Sequence, residues 1–426
     1  MERVDLVVRN ASQVVTMAGT SGGPKRGREM SEIGLVRRGF VAARGGRVVA
    51  AGPEAEMDCM LSVAGDAVVV DAGGGVVTPG LVDPHTHAVF MGWRAEEFAM
   101  RLKGVPYLEI LSAGGGILST VRRTREAGEE ELVSELVGRL DEAVSWGTTT
   151  MEVKSGYGLS TAEEMKLLRV LGKASEVHPV DIVPTFMGAH AIPPEFKGDP
   201  DGYVEVVVRE MIPAVAEKRL AVFCDVFCET GVFSIEQSRR VLKEGLRYGL
   251  RPKIHADELT DLGGAGLAAE LKAVSAEHLL RISAENILRM RDAGCIGVLL
   301  PGTPFFLGEE EYAPARTMIE AGLPVALGTD FNPGTCTIQS LPIIMGIACT
   351  RMRMTPEECL SAVTINAAHA IGLGGSVGSL EPGKKADIAV FDVEDYREIP
   401  YRFGTNLIRT VIKDGRVVVD RSTRRN

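Results

Sequence analysis

The sequence predicts an α/β fold: a (β/α)8 TIM-like barrel with a small β-sandwich domain built from both termini. Three observations carry the prediction. Apolar, strand-like runs alternate with helical runs eight times through the middle of the chain, the pattern of a parallel barrel. Short β-type runs punctuated by glycine gather at the two ends. No GxGxxG or GxxxxGK(S/T) string follows the first strand of the middle region, as the rival doubly wound sheet with a phosphate loop requires. The expected division is residues 1–78 plus 375–426 for the small domain and 79–374 for the barrel.

In chain order, residues 4–8, 36–50 and 67–77 read as strands, with 41–49 forming two strands around a Gly-Gly turn. Residues 19–27 read as a surface loop. The eight barrel strands are expected at 81–87, 148–153, 181–186, 222–227, 253–256, 273–278, 295–300 and 324–327. Helical runs lie between them at 129–146, 160–177, 234–248 and 283–293, and Thr355-Pro356-Glu357-Glu358 carries the residues of a helix start. Residues 340–353 read as a helix whose Met345, with Met352 and Met354 at its end, serves packing. Residues 387–391 and 411–419 return to the β style, the latter with an Asp-Gly hairpin.

A chain of 426 residues buries a full core without disulfides. Its 47 Lys+Arg against 57 Asp+Glu give a net charge of -10, which argues against nucleic acid or an anionic membrane as the partner. Met1-Glu2-Arg3-Val4-Asp5 has no apolar run behind a basic start, so a signal peptide is not expected, and no uninterrupted apolar stretch suits a membrane span. Seven scattered cysteines, an odd number, read as reduced thiols in a cytoplasm, with Cys224 and Cys228 as buried small apolar groups.

The chemistry concentrates in the histidines. Five of the seven (His85, His87, His190, His255 and His278) fall at or just beyond the C-terminal end of an expected barrel strand, the edge where barrels place their active sites. His85 and His87 are two apart, so on a strand both imidazoles face the same way. With His255 at the end of strand five and Asp330 after strand eight they make a set of three imidazoles and one carboxylate, a donor set for a first-row divalent ion that leaves a position for water. Such an ion lowers the pKa of bound water to about 7, giving a metal-activated hydroxide. Asp330, Glu258 and His278 are the candidates to take and return its proton. His278 has a second reading, as an orienter of Asp330.

The strings Thr78-Pro79-Gly80-Leu81-Val82-Asp83-Pro84-His85-Thr86-His87, Ser155-Gly156-Tyr157-Gly158-Leu159, Gly188-Ala189-His190, His255-Ala256-Asp257-Glu258 and Gly328-Thr329-Asp330-Phe331-Asn332-Pro333-Gly334-Thr335 resemble the amidohydrolase superfamily along nearly the whole chain. The resemblance implies hydrolysis of the cyclic amide of 4-imidazolone-5-propanoate to N-formimidoyl-L-glutamate. It also implies one Zn or Fe ion per subunit and a homodimer with a small-molecule substrate. His85, His87, His255 and Asp330 would be ligands to the metal. Arg94, Tyr157, His190, Glu258, Asn332, Gly334 and Thr335 would bind substrate, with the Arg94 fork matching a carboxylate tail. Arg94 as an ordinary surface cation and Gly334 as a mere turn residue stay open. Lys154 falls on strand two rather than strand four, where other superfamily members carry a lysine that bridges two metals; one metal is the better reading. His178 and His369 read as structural. Gly114-Gly115-Gly116, with Tyr107 before it, reads as a lid or as a plain loop. Two alternatives share much of this pattern: an aminohydrolase acting on a purine, pyrimidine or other cyclic amidine, and a silent barrel scaffold, which predicts gaps in the ligand set.

Overall fold

The computed structural model describes residues 1–19, 22–106, 109 and 114–422. The N-terminal segment supplies strands β1 (Glu2–Val15), β2 (Leu35–Arg44), β3 (Arg47–Pro53), β4 (Leu61–Asp71) and β5 (Val76–Pro79). The barrel strands follow as β6 (Leu81–Asp83), β7 (Thr148–Lys154), β8 (Asp181–Ala189), β9 (Phe223–Cys228), β10 (Arg251–Ala256), β11 (Ser275–His278), β12 (Ile296–Leu299) and β13 (Val325–Leu327). The C-terminal segment adds β14 (Ile388–Phe391), β15 (Ile408–Lys413) and β16 (Arg416–Asp420).

The terminal strands form one mixed sheet in the order β16-β15-β14-β5-β1-β2-β3, with β4 also paired to β1. β5 from the front of the chain and β14 from its back pair antiparallel, Val77 opposite Val390, so the two ends make one unit. Both expected hairpins are present. Gly45 and Gly46 turn β2 into β3, and Asp414 and Gly415 turn β15 into β16, all four with positive φ as a two-residue turn of this hand needs.

β6 to β13 lie in sequence order, and every neighbouring pair is parallel. All eight expected strands form. Helices cover the outside as patterned. Helix Thr161–Val177 starts at the Ser160 cap and buries Leu167, Leu168 and Leu171, and the Thr355 start is a full capping box with Glu358. Met345, Met352 and Met354 are buried in the core, as are Cys224 and Cys228, and all seven cysteines are free thiols.

Two expectations change. The first strand ends at Asp83 rather than at His87, because Pro84 has no N–H to continue a ladder. The segment 19–27 is not simply a surface loop. Lys25 is buried and its N–H donates to Asn366 Oδ1 at 2.7 Å, which docks that stretch on the barrel.

No ladder joins β6 to β13. Their ends meet instead through an isolated bridge between Thr86 and Phe331, with His87 N–H donating to Phe331 O at 2.9 Å and Asp330 N–H to His85 O at 3.0 Å. Below these, the Asp83 carboxylate accepts from the Thr329 N–H at 3.1 Å and from its hydroxyl at 2.6 Å. This seam restores the extended geometry that the short strand forfeits, so His85 and His87 still point to one side.

Candidate active site and metal centre

At the C-terminal rim of the barrel, four groups from the ends of three strands converge. His85 Nε2 lies 3.4 Å from Asp330 Oδ1, His87 Nε2 lies 3.5 Å from the same oxygen, and His87 Nε2 and His255 Nε2 are 3.3 Å apart. All four residues are buried. A tetrahedral ion with bonds of about 2.0–2.1 Å to nitrogen needs ligand atoms roughly 3.3–3.4 Å apart, so the spacing fits. His85 Nε2 is buried without a hydrogen-bond partner, a lone pair that a cation would satisfy. Burial, reinforced by the Lys154 ammonium and the neighbouring imidazoles, holds His85 well below its usual pKa. Burial does the same to His87, helped by His190 and His255. Both rings are therefore neutral, the form in which an imidazole can bind a cation.

His278 joins the cluster from the other side. One of its ring nitrogens lies within 4.8 Å of ligand atoms of His85 and His255, and its Nδ1 is 3.6 Å from Glu258 Oε1. His278 Nδ1 is buried without a hydrogen-bond partner. Burial first, then the Asp330 and Glu229 carboxylates, push Glu258 up to about 8. Burial pushes Asp330 up to about 6 against the hydroxyl of Thr303, which donates to Asp330 Oδ2. Asp330 at φ +53° and His278 at φ +69° sit in the left-handed region, where a non-glycine residue costs about 1–3 kcal/mol.

Beside the cluster, the His190 ring stacks on His87 with centroids 4.9 Å apart. Its Nδ1 donates to the Gly156 carbonyl at 3.0 Å, which leaves Nε2 as an acceptor because burial keeps the ring neutral, its pKa lowered to about 3. Tyr157 is buried beside both rings. Its loop is shaped by Glu164, which accepts from the Gly156, Gly158 and Leu159 N–H groups at 3.0, 2.8 and 2.8 Å. Glu164→Ala strands three buried donors at about 1–3 kcal/mol each. A thermal melt is expected to show several kcal/mol of lost stability, and an unchanged melting temperature would rule out this role.

Arg94 brings a buried Nε without a hydrogen-bond partner, ion-paired with the Glu97 carboxylate at 3.9 Å, beside a 420 Å³ cavity lined also by Trp93, Gly114 and Gly115. Tyr107 lies outside the described residues. A Cβ on Gly334 would sit 1.0 Å from Arg94 Nη2. Gly334 has no positive φ, so a turn does not explain it; the space Arg94 occupies does. Asn332 and Thr335 are turned on their own loop. Asn332 Oδ1 accepts from the Gly334 and Thr335 N–H groups, both at 2.8 Å, and Asn332 Nδ2 donates to Thr335 Oγ1 at 2.8 Å. These polar atoms hold the loop that carries Gly334 rather than standing unpartnered toward the pocket.

Several groups escaped the sequence reading. Glu277 Oε2 accepts from His85 Nδ1 at 3.0 Å and Asp225 Oδ1 from His255 Nδ1 at 3.1 Å, fixing each ring with Nε2 toward the cluster. Thr303, Glu164 and the paired Lys154 were also missed. The available signal was period two: Glu152 and Lys154, Lys253 and His255, and Ser275 and Glu277 put polar groups on the inward face of strands that should be apolar.

This fold and donor set define a metal-dependent hydrolase acting on C–N bonds. A family model described as "Amidohydrolase family" matches residues 108–419. An imidazolonepropionase of Shouchella clausii is 54% identical, with 97% of this chain and 93% of that one covered. One of Alkaliphilus metalliredigens is 51% identical, with 98% and 99% covered. Among solved structures, an adenosine deaminase of Xanthomonas campestris with bound zinc superposes at TM-score 0.70 and 18% identity over 98% of this chain and 94% of that one. The guanine deaminase of E. coli superposes at 0.72 and 16% over 97% and 99%. The chain belongs to the imidazolonepropionase family of the amidohydrolases.

Proposed function

We infer that the chain hydrolyses the cyclic amide of 4-imidazolone-5-propanoate to N-formimidoyl-L-glutamate, the third step of histidine degradation. The observation that carries this is the buried convergence of three imidazoles and Asp330, in a chain about half identical to imidazolonepropionases. His85, His87, His255 and Asp330 would hold the ion, zinc or iron. When bound, it supplies a water activated near neutral pH and polarises the ring carbonyl.

The remaining work belongs to the side chains. Asp330 and His278 orient the attacking water and accept its proton. Glu258, held near neutrality by its burial, passes a proton to the leaving ring nitrogen. His190 Nε2 accepts from a ring N–H, and Tyr157 closes the pocket beside it. Arg94 clasps the propanoate tail with its fork; Asn332, Gly334 and Thr335 shape the loop that gives the fork room. A homodimer in the cytoplasm completes the proposal. Among the described residues no helix is long and apolar enough to cross a membrane.

The test is loss of the ultraviolet absorbance of 4-imidazolone-5-propanoate on adding enzyme. Chelation is expected to abolish that loss, and zinc or ferrous ion to restore it, with metal analysis reading about one ion per chain. No turnover of this compound, alongside ammonia release from guanine or cytosine, would transfer the assignment to an aminohydrolase.

A further inference from the structure

Beneath the metal cluster the barrel interior holds Glu152, Lys154, Asp225, Lys253 and Glu277, all fully buried. Lys154 stands at the hub. Its Nζ is 2.8 Å from Glu152 Oε1 and 2.8 Å from Asp225 Oδ2, while the other oxygen of Asp225 accepts from His255 Nδ1 at 3.1 Å. Lys253 Nζ lies 3.4 Å from Glu277 Oε1, and the other oxygen of Glu277 accepts from His85 Nδ1. The pattern is repeated: ammonium, carboxylate, imidazole, with Nε2 facing the cluster.

We propose that Lys154 is a positioning residue: its ammonium holds the Asp225 carboxylate against His255 Nδ1 and thereby keeps His255 Nε2 aimed at the metal. This rests on the metal-site reading above. Lys154 is fully buried, and its ammonium pairs with carboxylates. An unpaired buried charge is strongly disfavoured, and without the ammonium Glu152 and Asp225 are two buried carboxylates with nothing between them. The relief is for Asp225 to leave His255. Outer partners of ligating imidazoles typically matter about 10–100-fold to metal affinity.

Zinc affinity of the full chain, measured by competition with a chromophoric chelator, tests this. Lys154→Met is expected to bind zinc about 10–100-fold more weakly, with turnover restored by excess zinc. Lys154→Met/Asp225→Asn is expected to regain most of that affinity, because an amide keeps an oxygen for His255 Nδ1 and turns its N–H toward Glu152. Should the single variant not fold, the double variant decides: affinity within a few-fold of wild type supports the proposal, and a loss as large as tenfold, or failure to fold, overturns it. Wild-type affinity in the single variant overturns it too, as does a turnover deficit that persists at saturating zinc. A wild-type chain that binds no zinc or iron refutes the metal-site reading itself, a result distinct from all of these.

Discussion

Asp330→Ala is expected to cut turnover by about a thousandfold or more and to leave the purified protein short of metal. The residue has two tasks. Its Oδ1 faces the Nε2 atoms of two imidazoles, 3.4 Å from His85 Nε2 and 3.5 Å from His87 Nε2. In the proposed mechanism it also accepts a proton from the attacking water, and a positioned general base alone is worth about 10²–10⁴-fold. Thr303→Val separates geometry from chemistry. It removes only the hydroxyl on Oδ2, so a smaller loss is expected, about tenfold for one hydrogen bond to a charged group. Steady-state rates beside metal per chain check both. Near-full rate in Asp330→Ala with metal still bound would exclude the role.

The second large effect is expected at a glycine. Gly334→Ala puts a methyl where Arg94 Nη2 now lies, 1.0 Å away, so the guanidinium must vacate its place. Charge-assisted hydrogen bonds are worth about 1.5–3 kcal/mol, so kcat/KM is expected to fall about 10–100-fold, mostly through KM. Arg94→Lys should show the same split, because a point charge replaces a fork. The decisive measurement is a double-mutant cycle. Gly334→Ala added to Arg94→Ala should cost almost nothing further, since the group it displaces is already gone. Additive losses would mean that Gly334 acts apart from Arg94, and an unchanged KM in Arg94→Lys would place the tail elsewhere.

The parts of this site legible in sequence are those with a local signature. Residues two apart, as His85 and His87 are, share a face whether or not hydrogen bonding calls the segment a strand. The apolar runs therefore located the rim correctly even though Pro84 stopped β6 early. Short strings such as Ser155–Leu159 and Asp330–Thr335 marked the loops because their glycines are set by contacts, with His190 filling the space beside Gly156 and Arg94 the space beside Gly334. Asp225, Glu277 and Lys154 were not legible as site residues. A buried carboxylate is spelled the same as a solvated one, and only the pairing of distant strands tells them apart. Gly334 stayed ambiguous for a similar reason: a turn and a steric cradle demand the same letter, and the backbone angle separates them.

A nascent chain cannot complete this centre before its eighth strand has emerged, because His85 and Asp330 stand on opposite lips of the β6–β13 seam. A bound ion would therefore act as a clip across the closure of the cylinder. Stripping it should let the first and last strands part while the middle of the wall stays intact. Amide exchange at His87 and Asp330, the two N–H groups that cross the gap, would then quicken ahead of exchange in β8 and β9.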